Sequence, residues 1–213
     1  MSHPQIEHGR EPIRLFRAGW LEFLTHVHPA VVALIWLPVI LFFLMWTATQ
    51  KPAGASPLYI AAAFFIGLFL WTPSEYGLHR FVFHYPARTP WGKRALFMLH
   101  GIHHAQPRVK TRLVMTPLVS IPLAVVFYGV FALLVGGLFG APHWVAPIFA
   151  GFVAGYLLYD MTHYAMHHVN VPWGYFRSMR QHHMRHHGEN PSLRFGVTSK
   201  LWDRVFGTLP ALR

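Results

Sequence analysis

The sequence predicts an all-α integral membrane protein with four transmembrane helices and a cytosolic, histidine-rich helical cap. Three observations lead to this prediction. Long apolar blocks carry almost no charge, the basic residues fall on one side of those blocks, and histidines cluster at helical spacing on that same side.

The apolar blocks set the chain apart from an ordinary soluble domain. Hydrophobic residues make up 54% of the 213 residues and charged residues only 12%. Lys51 is the only charged residue between Glu22 and Glu75, and none occurs between Arg112 and Asp160. A membrane span requires about 20 apolar residues, so these blocks are long enough to cross a bilayer.

Four membrane-spanning helices follow from the blocks, and the second and fourth are expected to continue as helix into the aqueous phase. Their predicted bounds are residues 29–47, 58–72, 113–136 and 143–159. Helices buried in a large soluble protein are the weaker alternative, because no polar face interrupts these runs. The tryptophans near the predicted span ends are expected to form an interfacial belt: Trp20, Trp46, Trp71 and Trp144.

The basic residues orient the protein. With four spans, 17 of the 18 lysines and arginines share a side, and Lys51 alone lies opposite. The positive-inside rule places that side in the cytoplasm. The membrane is then a bacterial inner membrane or, in a eukaryote, that of the endoplasmic reticulum.

We expect a cytosolic N-terminal segment over residues 1–28 and one membrane domain over 29–213. The net charge of +11 favours anionic lipid over nucleic acid, since no nucleic-acid-binding motif accompanies it.

Twelve of the 17 histidines fall into four clusters: HRFVFH (79–84), HGIHH (100–104), HYAMHH (163–168) and HHMRHH (182–187). Imidazole is the commonest transition-metal ligand, and spacings of three and four residues share one helix face. The first cluster differs, because a spacing of five residues is about 140° out of register on an α-helix. One of its two histidines is therefore expected at a helix end. Together the clusters predict a polynuclear metal site.

The absence of cysteine excludes iron–sulfur clusters and thiolate-ligated haem. Two carboxylates lie close to the clusters and are candidates for orienting a metal ligand by accepting its distal N–H. Glu75 precedes His79 by four residues, and Asp160 precedes His163 by three. The alternative is a carboxylate paired with a nearby arginine such as Arg80.

Around these clusters the chain resembles the fatty acid hydroxylase and sterol desaturase superfamily, and within it the fatty acid 2-hydroxylases. The stretches that carry the resemblance are EYGLHRFVFH (75–84), LHGIHHAQP (99–107), RLVMTP (112–117), GYLLYDMTHYAMHH (155–168) and HHMRHHGENPSLRFGVTSKLWDRVFGT (182–208). The resemblance implies a four-helix membrane anchor, a dinuclear metal centre and dioxygen-dependent hydroxylation of a long-chain acyl group next to its carbonyl.

The resemblance also implies the metal ligands: His79, His84, His100, His103, His104, His163, His167, His183, His186 and His187. Ten nitrogens suit two iron ions, with a position left open for dioxygen as co-substrate, and zinc is an expected occupant in purified protein. His168 and His182 are surplus to this set. Relatives often carry an N-terminal cytochrome domain, whereas about 28 residues precede the first span here, so a separate electron-donor protein is expected.

Other functions remain open at this point. Within the same chemistry, the nearest alternatives are a carotenoid or sterol hydroxylase and a lipid desaturase. A metal transporter or a bis-imidazole membrane cytochrome would need polar ligands inside the spans. The sequence places its histidine clusters beyond the predicted spans instead.

Overall fold

The computed structural model describes residues 11–52 and 55–210, and every regular element within these residues is helical. The predicted all-α class is confirmed. The α-helices are α1 Gly19–Leu24, α2 Pro29–Gln50, α3 Leu58–Gly77, α4 Pro90–Leu96, α5 Ile102–Ala105, α6 Pro117–Phe131, α7 Pro142–His168, α8 Gly174–Gly188 and α9 Leu201–Val205.

Three π-helical stretches and one 3₁₀ turn extend these helices. The π-helical stretches are Leu78–Phe83 after α3, Phe97–Gly101 between α4 and α5, and Ala132–Leu138 after α6. The 3₁₀ turn Lys110–Arg112 precedes α6. The first two π-helical stretches contain His79 and His100. Because π-helical turns occur frequently at functional sites, these two indicate a site near the histidine clusters.

Four helical stretches are long and apolar enough to cross a membrane: Pro29–Gln50, Leu58–Phe83, Lys110–Leu138 and Pro142–His168. They contain the four predicted spans. The second and fourth run well past their apolar parts and carry His79 and His163, as expected. The chain is therefore a multi-pass membrane protein whose spanning helices deliver histidines beyond the apolar region.

The chain divides into two compact units. One contains 30–72 and 116–158, which hold most of the apolar spanning residues, and we call it the membrane unit. Its first three spans expose large apolar side chains, with Leu34 72% and Val125 66% exposed. Such surface suits lipid rather than water.

Glycines bring α3 and α7 into backbone contact inside the membrane unit. A Cβ on Gly151 would lie 1.9 Å from the carbonyl oxygen of Phe64, and one on Gly67 would lie 1.9 Å from that of Ile148. Gly151 and Gly155 form a G-x-x-x-G pair, the spacing that lets membrane helices approach closely. Only a hydrogen fits at these positions.

One of the predicted interfacial tryptophans, Trp71, is buried between helices. Trp71 is only 4% exposed, whereas Trp46 is 52% exposed. The Trp71 ring packs edge-on against Phe152 and Tyr156 of α7. Trp71 therefore belongs to the helix-packing core, and its assignment to the interfacial belt was wrong because position along a span does not tell which helix face a side chain occupies.

The second unit, which we call the cap, contains 11–29, 73–115 and 159–210 of the described residues. Its N-terminal segment is tied to the loop that follows the second histidine cluster. Gln106 is buried, its amide donates to the carbonyl of Glu11, and its Oε1 accepts from the N–H of Ile13. Arg112 pairs with Glu22. These contacts hold the N-terminal segment against residues 106–112, which follow α5.

Candidate metal centre

The cap brings ten histidines together in two groups of five. Group A contains His79, His84, His100, His104 and His186. Group B contains His103, His163, His167, His183 and His187. In each group one ring nitrogen from every residue lies within 4.8 Å of the others. These are the ten residues that the sequence resemblance implied, and each group could hold one metal ion.

Helical spacing explains most of the convergence. His163 and His167 are one turn apart on α7, and His183 and His187 are one turn apart on α8. The HGIHH cluster supplies both groups, since His100 and His104 join group A while His103 turns to group B. The second cluster therefore bridges the two sites.

The five-residue spacing of the first cluster is accommodated by π-helical winding. His79 lies in the π-helical stretch Leu78–Phe83, and His84 follows its last residue. The N–H of His84 donates to the carbonyl of His79 at 3.1 Å, an i to i+5 bond. The prediction that one of the pair lies at a helix end is confirmed. The π winding that brings the two rings to 5.0 Å was not foreseen.

The distances between nitrogens suit metal ligation. In group A, the Nε2 atoms of His104 and His100 are 3.0 Å apart, and those of His186 and His84 are 3.1 Å apart. In group B, the Nε2 atom of His183 lies 2.9 Å from that of His163. Two nitrogens bound to one ion at about 2.1 Å and at a right angle lie about 3 Å apart. The residues present therefore fit one ion in each group.

Burial keeps neutral those imidazoles of groups A and B that lie outside the spanning helices. It lowers the pKa of His84 to about 3, with repulsion from His186 adding to the effect. Burial also lowers the pKa of His186 to about 4, although the hydrogen bond to the Leu193 carbonyl opposes it. First burial and then neighbouring histidines hold the pKa well below its ordinary value in His100, His103, His104, His183 and His187. Neutral rings offer the lone pair that a metal requires.

Glu75 was a candidate to accept a hydrogen bond from the distal N–H of His79. It instead contacts the backbone segment that bonds to His79. The Nδ1 atom of His79 hydrogen-bonds to the carbonyl of Phe195 at 2.5 Å. Glu75 Oε1 accepts from the backbone N–H groups of Val197 and Thr198, at 2.7 and 2.8 Å. The carboxylate thus holds the segment that contacts the ligand. Asp160 accepts from the N–H of Met115, with both oxygens at 3.2 Å.

Asp203 is a buried carboxylate that sequence reasoning missed. It is 0% exposed and its Oδ2 lies 2.9 Å from Nε2 of His182. Burial by itself would raise the pKa of Asp203, but hydrogen bonds from His182, Thr208 and Gly196 outweigh it and lower that pKa. The only local signal was an acidic residue in the apolar stretch LWDRVF.

The surplus histidines lie outside both groups. The His182 ring is in hydrogen-bond contact with the Asp203 carboxylate, and His168 packs against the ring of Tyr164. His26 hydrogen-bonds to Thr111, and His143 contacts Tyr59. His3 and His8 fall outside the described residues.

A partly open cavity of about 990 Å³ reaches the metal centre within the cap. Four ligand candidates are among its lining residues: His84, His100, His104 and His187. Its remaining wall is largely apolar, with two cations and one carboxylate: Phe83, Tyr85, Pro86, Ala87, Arg88, Lys93, Leu96, Phe97, Gly101, Gly188, Glu189 and Pro191. A volume of this size is at the upper end for small-molecule sites.

Similar proteins from a plant, a yeast and a mammal are all named as fatty acyl or fatty acid hydroxylases. The family model described as fatty acid hydroxylase matches residues 64–208 of this chain. A dihydroceramide fatty acyl 2-hydroxylase of Arabidopsis thaliana is 35% identical over 96% of this chain and 83% of its own length. A ceramide very long chain fatty acid hydroxylase of Saccharomyces cerevisiae is 40% identical over 97% of this chain and 52% of its own length. A fatty acid 2-hydroxylase of Rattus norvegicus is 38% identical over 93% of this chain and 57% of its own length.

A solved structure has the same fold. The structure of full-length scs7p, in which only the hydroxylase domain is visible, matches with a TM-score of 0.88 and 36% identity. The match covers 98% of this chain and 76% of that one.

Proposed function

Because the chain belongs to the fatty acid hydroxylase family, we propose that it hydroxylates a long-chain acyl group at the carbon next to the carbonyl. The observation that carries the proposal is the convergence of ten buried or half-buried imidazoles on two neighbouring points. The acyl specificity is supported by relatives named as fatty acyl or fatty acid 2-hydroxylases at 33–38% identity.

We propose that groups A and B each hold one iron ion through five nitrogens. Iron held there would supply the redox chemistry that activates dioxygen. The protein supplies neutral imidazoles whose ring nitrogens already converge within each group. Since burial already holds their pKa values low, binding a cation does not require the displacement of protons near neutral pH.

We propose that the acyl chain binds in the cavity lined by His84 and His104. Its apolar wall, which includes Phe83, Leu96 and Phe97, matches an alkyl chain. Lining the cavity with apolar groups excludes water from the reacting carbon. Regiochemistry then depends on how far the carbonyl end enters before it is stopped.

Hydroxylation needs two electrons from outside the substrate. One oxygen atom of dioxygen enters the carbon–hydrogen bond, and the other is reduced to water with two electrons and two protons. We propose that a separate electron-donor protein supplies them. In residues 11–52 and 55–210, the groups of three or more ligand-type side chains able to hold a metal are the two of this one centre.

The proposal predicts the origin of the product oxygen. Purified protein is reconstituted with iron, a reductase system, long-chain acyl lipids and ¹⁸O-labelled dioxygen. We expect a 2-hydroxyacyl product that carries one heavy oxygen, analysed by mass spectrometry. Omission of the donor protein is the control and should abolish turnover. Label arriving from water, or a dehydrogenated product without a hydroxyl, would reject the monooxygenase reaction.

A second prediction concerns orientation, which we propose to be cytoplasmic for the cap. The chain contains no cysteine, so single cysteines can be introduced and labelled with a reagent that does not cross membranes. Lys51→Cys and Phe139→Cys, at exposed positions, should be labelled from outside intact cells. Arg108→Cys and Ser192→Cys should react only after the membrane is opened. External labelling of Arg108→Cys would overturn this orientation.

A further inference from the structure

The two histidine groups differ in how the protein holds their rings. In group A, the Nδ1 atoms of His79 and His186 hydrogen-bond to the carbonyls of Phe195 and Leu193, at 2.5 and 2.7 Å. These bonds place the proton on Nδ1 and leave the Nε2 lone pair directed into the group. Hydrogen-bonded partners of this kind fix the tautomer and the orientation of a ligand.

Group B lacks this support among the described residues. The buried Nδ1 atoms of His183 and His187 have no protein hydrogen-bond partner, and neither ring nitrogen of His103 has one. Three of the five rings are therefore held by packing rather than by an acceptor that sets their tautomer. Group A is thus constrained by a backbone acceptor at two of its five rings, those of His79 and His186, whereas these three rings of group B have no such acceptor.

Two carboxylates hold the segment 193–198 that carries the group A acceptors. Asp203 accepts from the backbone N–H groups of Phe195 and Gly196, at 2.8 and 2.9 Å. Glu75 accepts from the next two N–H groups in the chain. Four consecutive backbone donors are thus anchored. The anchoring aims the Phe195 and Leu193 carbonyls at their histidines.

The anchor at Asp203 is itself closely fitted. Thr208 Oγ1 donates to its Oδ1 at 2.7 Å, while His182 Nε2 lies 2.9 Å from its Oδ2. A Cβ on Gly196 would lie 2.0 Å from the Ser199 carbonyl oxygen and 2.9 Å from Oδ2 of Asp203. Only glycine lets the segment approach the carboxylate this closely. His182, surplus as a ligand, is a further partner of the anchor.

We infer that Asp203 is a positioning residue for group A alone, and that the two metal ions are consequently held with unequal affinity, the group A ion more tightly. The inference rests on the proposed metal binding. Asp203 lies outside the histidine clusters, and its effect on metal affinity is confined to group A.

The test measures metal release from the purified full chain with Zn²⁺ as a redox-inert probe. The protein is loaded, challenged with increasing chelator and analysed for bound zinc. Wild type should retain two equivalents at first and lose them in two separate steps. Asp203→Asn keeps the size of the side chain but replaces one acceptor by a donor facing backbone N–H groups. It should weaken the tighter ion by about 10–100-fold and leave the weaker ion unchanged.

Single-site backgrounds identify which ion responds. His84→Ala disables group A and His167→Ala disables group B. Adding Asp203→Asn should weaken the ion that remains in His167→Ala and leave the ion in His84→Ala unaffected. Thr208→Val, which removes one hydrogen bond to Asp203, should shift the same ion by a smaller factor even if Asp203→Asn folds poorly.

The matched control is Glu22→Gln. Glu22 also accepts from two backbone N–H groups of the cap, those of Leu15 and Phe16, but lies in the N-terminal segment. It should leave both release steps unchanged. One release step for two equivalents, or equal weakening of both ions by Asp203→Asn, would overturn the inference while metal binding stands. Wild-type protein that binds no zinc would overturn the proposed metal centre as well.

Discussion

Replacing His104 or His163 by alanine is expected to remove at least one metal ion and to abolish hydroxylation. The two residues belong to groups A and B respectively, and both are buried. Loss of a direct ligand should lower affinity by more than the roughly 10–100-fold seen for outer partners of metal ligands. The measurement is metal content per chain after gel filtration, together with product formation. His79→Ala and His187→Ala should behave in the same way.

The control for this series is His143→Ala. His143 is exposed on the membrane unit, contacts the Tyr59 ring and belongs to neither group. Its replacement should leave metal content and turnover near wild type, as should replacement of His3 or His8. Full metal and full activity in both His163→Ala and His187→Ala would rule out the dinuclear assignment.

Gly151→Ala is expected to destabilise the membrane unit severely. The new methyl group would lie 1.9 Å from the backbone oxygen of Phe64, and a backbone atom cannot move aside as the end of a flexible side chain can. Overpacking commonly costs 1–3 kcal/mol, and a collision with backbone should lie at about 3 kcal/mol or above. Thermal unfolding in detergent, followed by the monodisperse fraction, measures the loss.

Gly129→Ala is the matched control in the same unit. Gly129 lies inside α6, and a Cβ there meets nothing within 4 Å. Alanine in an exposed helix interior is favoured over glycine by about 0.5–1 kcal/mol, so this variant should be as stable as wild type or slightly more so. Equal melting temperatures for the two variants would contradict the close approach of α3 and α7.

Local spacing is what made the centre predictable. An i, i+4 pair such as His163 and His167 shares a helix face whatever the rest of the chain does. The absence of charge likewise identified the four spans, because a bilayer tolerates few buried charges wherever they fall. Both kinds of signal are contained within a few helical turns.

Features that depend on distant residues could not be predicted in this way. Asp203 contacts Phe195 and His182 through tertiary folding, and no spacing in the sequence relates these three. The π winding between His79 and His84 arises from the irregular ending of a long helix, which α-helical geometry alone treats as a mismatch. Gly151 and Gly155 did carry a local signal, the small-residue pair, and it was overlooked beside the histidine clusters.

The central claim is that two neighbouring sites, each built from five histidine nitrogens, hold two metal ions. Anomalous diffraction from crystals of iron-loaded protein, with data at energies above and below the iron edge, tests it most directly. We predict two anomalous peaks per chain, one enclosed by the nitrogens of group A and one by those of group B. A single peak, or a peak coordinated by His182 and Asp203 in place of either group, would contradict the claim.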